Sequence, residues 1–450
     1  MELTKIYLER IEEYNPILNA FLTVCYEAAI SEAKFAESAV MRGEQLGLLH
    51  GLPIALKDLT QTQGIRTTRG SLIFENFVPR SDEPIVQRLR NSGAIIIGKT
   101  NTPEFGHRGT TENLLSPPCS NPWDISRTSG GSSGGSAVAV ASGLAAIAQG
   151  DDGGGSIRIP ASFCGVFGMK PSFGLVPRQY RSGGGWNFIS QTGSLGRTVA
   201  DAALLLQVMA GPHKEDPRTI NKISPRFFDD LSPDIDGSLI AWSPDLGNLP
   251  IHPAVRSLMS KSVHLMESSG AKLEELKEVV DTDNSLQTFK TIFMSDMLAN
   301  LNPLLERHGD LMMPSLRFWL EEAKSWSVIR LAEALGGLEL HRAQMDSIFE
   351  KYDLLLTPTV SVPAFPIEQW PDIIDNTPVD KLWAFNPFCY LFNLTGQPAA
   401  SIPCGFTEDG LPIGLQIIGR RGEDLKVLQA AAVYESLNPW IDKRPQLKSK

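Results

Sequence analysis

The chain has little cysteine. Five are spread over 450 residues, at Cys25, Cys119, Cys164, Cys389 and Cys404. Their number is odd and no two form a C-x-x-C pair. That spacing predicts neither a disulfide framework nor a zinc site, and it fits a reducing cytoplasm best. No run of about 18 apolar residues occurs, so no membrane span is expected. The opening MELTKIYLERIEEYNP is charged and amphipathic and lacks the apolar core of a secretion signal. Outside a short C-terminal tail there is no basic run, and 41 cationic against 51 acidic residues leave a net charge of −10, which argues against a nucleic-acid partner. The phosphate-loop pattern G-x-x-x-x-G-K-[ST] is also missing, which weakens the reading of this chain as a nucleotide-binding module. No cofactor and no metal ion is expected.

What is abundant is glycine next to serine. Residues 130–136 read GGSSGGS and residues 153–156 read GGGS. Glycine loses much chain entropy when ordered, so clusters of this density require a reason. A flexible linker is one. It does not suit these two clusters, because the segment between them, Ala137 to Gln149, is small, apolar and uncharged and reads as a buried helix. Close approach of backbone to a ligand, with serine hydroxyls and main-chain N–H groups turned toward it, is the better account.

Around this stretch, periodicity predicts amphipathic helices over 2–13, ended by Asn15-Pro16, and over 26–43. Leu52 to Leu56 reads as a buried strand delivering Lys57, and 94–98 as another. A helix over 197–211 would point Val199, Ala202, Ala203, Leu206 and Met209 inward. Residues 178–191 look like a loop, 238–243 like a strand, 253–269 like a helix, and 280–350 like mostly helix. Strands at 354–357, 399–403 and 413–418 and a helix over 423–437 follow. Alternation of this kind predicts an α/β fold, a large, mixed and mostly parallel sheet with helices on both faces, in one domain spanning 1–450.

The chain resembles the amidase signature family of serine hydrolases. The matching segments are GLPIALKD (51–58), TNTPEFG (100–106), NPWD (121–124), GGSSGGS (130–136), GGSIRIPASFCGVFGMKPSFG (154–174), RTVADAALLLQVMAG (197–211), LLLTPT (354–359) and FNLTGQPAASIPCGF (392–406). The resemblance implies cleavage of a carboxylic amide by a Ser–Ser–Lys triad. It puts the base at Lys57, the bridging serine, held in a cis peptide, at Ser132, and the nucleophile at Ser156. It also places the TNTPEFG loop, with Gly106 and the adjoining His107, along the substrate channel, although His is not the usual residue at 107.

The residues themselves support part of this. A lysine at the end of a buried strand is desolvated, which lowers its pKa and makes the neutral amine a competent base. A serine hydroxyl needs such a base to act as nucleophile. The N–H groups of Gly153, Gly154, Gly155 and Ser156 stand close enough in sequence to converge as an oxyanion hole. Ser133 is expected near the lysine and on the substrate side, Trp186 and Phe188 as an apolar wall, and Asp152 and Arg158 as a structural pair. Cys164 reads as a buried structural residue.

Other readings make different demands. Ser132 and Ser133 each satisfy G-x-S-x-G, but a nucleophile elbow follows a strand, and residues 121–129 do not read as one. The S-x-x-K pairs at Ser31–Lys34 and Ser269–Lys272 lack their companion motifs. An amidase subunit of a tRNA-dependent amidotransferase would carry A-S-S-L-D-Q where this chain has FISQTG (188–193). The expected partner is therefore a small amide, ester or carbamate, and a homodimer is allowed for.

Overall fold

A computed structural model describes residues 1–179, 189–219, 226–278 and 280–447. Its strands are β1 (Phe21–Val24), β2 (Pro53–Lys57), β3 (Ile95–Thr100), β4 (Ile147–Asp152), β5 (Phe167–Lys170), β6 (Gln191–Gly196), β7 (Leu239–Trp242), β8 (Lys272–Glu275), β9 (Leu354–Pro358), β10 (Ile373–Ile374), β11 (Thr377–Pro378), β12 (Ala399–Phe406) and β13 (Pro412–Gly419). All but the small β10–β11 hairpin join one eleven-stranded sheet in the order β1-β3-β2-β4-β6-β5-β12-β13-β9-β7-β8.

The sheet is mixed, as expected, but it is not mostly parallel. Only β3–β2, β2–β4, β9–β7 and β7–β8 run parallel, while β1–β3 and every pair from β4 through β9 run antiparallel. The reason is visible at β12–β13. A turn closed by the Thr407 N–H on Leu411 O at 2.9 Å joins them, and so short a link cannot accommodate the crossover that a parallel pair requires. The parallel ends keep the signature of strands covered on both faces. β2, β3 and β9 are buried along their whole length, and they are near-continuous apolar runs in sequence.

Two helix boundaries differ from the sequence reading. The N-terminal helix runs from Glu2 to Leu18 with Pro16 inside it. A proline in the last turn forfeits one hydrogen bond without ending the helix, and the stop comes at Asn19, which adopts φ 50°. The apolar segment between the glycine clusters is a helix only over Gly134–Ala141. Gly143, at φ +65°, turns the chain, and Ile147 onward is claimed by the sheet as β4, between β2 and β6. Sheet pairing thus overrides the helical look of 147–149.

The Val199–Met209 helix opens on a capping box between Thr198 and Asp201, and Val199, Ala202, Ala203, Leu206 and Met209 are all inaccessible. Residues 282–351 form three helices, Thr282–His308, Pro314–Ala323 and Val328–Lys351. They carry their own aromatic core, including Phe289, Phe293 and Trp319. Among the described residues no helix is long and apolar enough to cross a membrane, and no group of three or more His, Cys, Asp or Glu is placed to hold a metal ion.

Candidate active site

β2 delivers Lys57 to the centre of the molecule, where its side chain is fully inaccessible. Its main-chain N–H donates to Gln149 Oε1 at 3.0 Å. Its Nζ donates to Ser132 Oγ at 2.7 Å, to Ser133 Oγ at 2.9 Å and, at 3.4 Å, to the carbonyl of Asp151. Burial lowers the Lys57 pKa to about 8, against the opposing pull of Asp151 and Asp152 and with help from Arg178. Three neutral oxygens around a desolvated amine suit a group that changes charge near neutrality.

The first glycine cluster lets backbone segments touch. A methyl on Gly131 would lie 2.6 Å from Thr110 O, and one on Gly135 would lie 2.3 Å from Asn101 N. No side chain fits at either distance. The Gly131–Ser132 peptide bond is cis, and Ser132 presents its hydroxyl to Lys57. Ser133 faces inward instead. It is fully buried, donates from Oγ to Asp151 O at 3.1 Å and accepts from Asp151 N–H at 3.3 Å. With the Lys57 bond its hydroxyl is fully engaged, which makes it a support for the lysine rather than a group facing a substrate.

The second cluster follows β4. Ser156 is 7% exposed, and its carbonyl accepts from the Ser133 N–H at 3.0 Å, which ties the two serine loops together. Among the described residues its Oγ has no hydrogen-bond partner. Beneath it, Asp152 and Arg158 form a fully buried, two-point ion pair at 2.9 Å on each side. Asn393 Nδ2 donates to Asp152 Oδ1 at 2.9 Å, and Arg158 also donates to Gln416 Oε1 and Asn393 Oδ1, each at 2.7 Å.

The Gly155 N–H is spent on this network, donating to Asp152 Oδ1 at 2.8 Å. Gly153, Gly154, Gly155 and Ser156 therefore do not aim four N–H groups at one point. Among the described residues, those of Gly153, Gly154 and Ser156 have no acceptor.

Gly106, at φ +72°, stands at the other side of Ser132, where a methyl would lie 3.3 Å from Ser132 Oγ. His107 is 1% exposed. Its Nδ1 meets Glu104 O at 2.8 Å and its Nε2 meets Ser315 Oγ at 2.9 Å, so both ring nitrogens are occupied by protein. Burial, with the Arg108 charge adding to it, pushes the ring's pKa down to about 3, leaving it neutral. The histidine borders the site and does not face into it. Trp186 and Phe188 lie outside the described residues. Cys164 is buried, and burial raises its thiol well above the usual range.

Sequence reading missed Gln149, Asn393 and Gln416. Each is an ordinary amide in sequence, and each becomes informative only as a buried side chain with charged or catalytic-type neighbours.

A mixed eleven-stranded sheet carrying a buried lysine between two glycine-serine loops is the arrangement of an amide hydrolase of the amidase signature type. The Amidase family model matches residues 2–428, and the chain belongs to that family of hydrolases acting on C–N bonds. An acylamidase of Rhodococcus erythropolis is 34% identical over 454 residues, covering 99% of this chain and 93% of that protein. A glutamyl-tRNA(Gln) amidotransferase subunit from a Synechococcus strain is 35% identical, over 99% of this chain and 90% of its own. The solved structure of a bacterial aryl acylamidase superposes with a TM-score of 0.92 at 28% identity, covering 99% of this chain and 95% of that one.

Proposed function

We propose that this protein is a free-standing amidase that hydrolyses small carboxylic amides through an acyl-enzyme on Ser156. The observation that carries the reading is the 2.7 Å contact from the fully buried Lys57 Nζ to Ser132 Oγ. In its neutral form the amine accepts the Ser132 proton, and Ser132 in turn takes the proton of Ser156 as that oxygen attacks the amide carbon. The N–H groups of Gly153, Gly154 and Ser156 receive the developing oxyanion, while the Gly155 N–H holds the loop to Asp152. The proton returns along the same path to the leaving amine, the C–N bond breaks, and water then repeats the cycle on the acyl-serine. No metal or cofactor enters.

The same geometry would open activated esters and carbamates, which have a better leaving group and the same tetrahedral intermediate. The cytoplasm is the proposed location, consistent with five free cysteines.

The test is labelling with a fluorophosphonate. Phosphonylation of Ser156, lost in Ser156→Ala, supports the reading, and a label on another side chain ends it. A second reading, one component of a tRNA-dependent amidotransferase complex, is favoured by the 35% identity to such a component. Purified alone, the free-standing enzyme hydrolyses p-nitroacetanilide, and a component that depends on its partners does not.

A further inference from the structure

We propose that Ser315 is a positioning residue that sets the substrate preference of this site, by tying the Gly106 turn to an aromatic wall that favours amides bearing a flat apolar group. The proposal rests on the amidase reading above and extends it to a residue that the catalytic chemistry does not use.

The hydrogen bonds around Ser315 run in one direction. His107 Nδ1 faces the Glu104 carbonyl, which only accepts, so Nδ1 carries the proton and Nε2 is an acceptor. The Ser315 hydroxyl therefore donates to His107 Nε2 at 2.9 Å and itself accepts from Arg108 Nη1 at 3.3 Å. A second tie stands beside it. Glu104 Oε2 accepts the Met313 N–H at 2.6 Å, and its Oε1 accepts from Ser71 Oγ at 2.5 Å. Residues 104, 107 and 108 thus all bind the start of the Pro314–Ala323 helix, and they flank Gly106, where a methyl would lie 3.3 Å from Ser132 Oγ.

That helix carries Trp319. Its ring meets His107 edge-on at 5.3 Å between centroids and stacks on Trp383 at 5.6 Å. Trp383 meets Phe289 edge-on at 5.4 Å. Phe289 closes on the glycine loop, with its Cζ 2.6 Å from where a Gly154 methyl would stand. The contacts form a circuit from Ser132 through Gly106, His107, Trp319, Trp383 and Phe289 to Gly154. Ser315 is the hydrogen-bonded joint of that circuit, whose rings are uncharged and nearly buried, Trp319 and Trp383 being 8% and 7% exposed. An aromatic circuit that runs from Ser132 round to Gly154 favours a flat aryl substituent between those two ends, since apolar contact area and ring geometry carry the discrimination.

The experiment compares p-nitroacetanilide with propionamide on wild type, Ser315→Ala and Ser315→Thr. Ser315→Ala removes the joint at a half-buried position, and Ser315→Thr keeps the hydroxyl. The expected result for Ser315→Ala is a rise of about fivefold in KM for the anilide with kcat within about twofold, and a kcat/KM for propionamide within about twofold of wild type. Ser315→Thr restores the anilide KM. Equal losses on both amides, or no change on either, overturn the proposal while leaving the amidase reading intact. A wild type that hydrolyses neither amide overturns both.

Discussion

Asp152 holds the main-chain N–H of Gly155 on one oxygen at 2.8 Å, and its other oxygen takes the N–H of Ile157 at 3.1 Å. One carboxylate thereby fixes the turn that carries Ser156. Burial by itself pushes the acid up, but the Arg158 guanidinium and the hydrogen bonds it makes override this and hold Asp152 well below the usual carboxylate range. A depressed folded-state pKa contributes stability above the unfolded value of about 4, and that contribution is lost as pH falls through the folded value.

Asp152→Asn is expected to destabilise the protein by about 3–5 kcal/mol, because it strands the buried Arg158 charge. Urea unfolding at pH 7 measures this. A loss below about 1 kcal/mol would mean that water or another acid replaces the carboxylate.

Lys57 gives the pH profile its shape. Its pKa is lowered from 10.5 to about 8, and the neutral amine is the competent form. Activity should therefore climb with pH along a limb centred near 8, with about a tenfold loss per pH unit well below it. The stability sign is the same. The unfolded chain binds the extra proton between the two values, so stability rises with pH from about 8 toward 10.5. Lys57→Met should abolish the limb along with turnover. A wild-type kcat/KM that is flat from pH 5 to 9 would contradict the assignment.

The two serines beside Lys57 should differ in effect. Ser132→Ala removes the proposed relay and should cost about 10²–10⁴ in kcat. Ser133→Ala leaves that relay in place and should cost roughly tenfold less, chiefly by loosening the lysine. If Ser133→Ala proves the more damaging of the two, their roles are reversed.

Gly154 and Phe289 should couple. A methyl at Gly154 would lie 2.6 Å from the Phe289 ring, so Gly154→Ala alone should lower kcat and cost about 1–3 kcal/mol of stability. Adding Phe289→Leu makes room, and the double variant should be more stable than additivity of the two single changes allows. A double-mutant cycle with a coupling below about 0.5 kcal/mol would show that the ring moves aside freely.

Much of the site is legible in the residues alone. The apolar run Pro53–Leu56 announces a buried strand and a desolvated lysine at its end. The glycine clusters announce close approach, and the approach is real: Gly131 and Gly135 abut backbone that no side chain would tolerate. The expected Asp152–Arg158 pair is there as well. By contrast, the polarity of the sheet is not legible. β5, only four residues long, and β6, with two glycines and a serine in six residues, lack the apolar runs that mark β2 or β9, so their antiparallel pairing has no local signal.

The sequence by itself determined which chemistry was on offer: an amine at the end of a hydrophobic run, and serines set among glycines, because burial and backbone freedom are properties of short segments. Only the tertiary structure decided how those groups are shared out. Gly155 donates to Asp152, Ser133 turns to the lysine, and His107 is taken up by Ser315, a residue 208 positions away. A hydrogen-bonding group has few bonds to give, and which partner takes them is settled when distant segments pack.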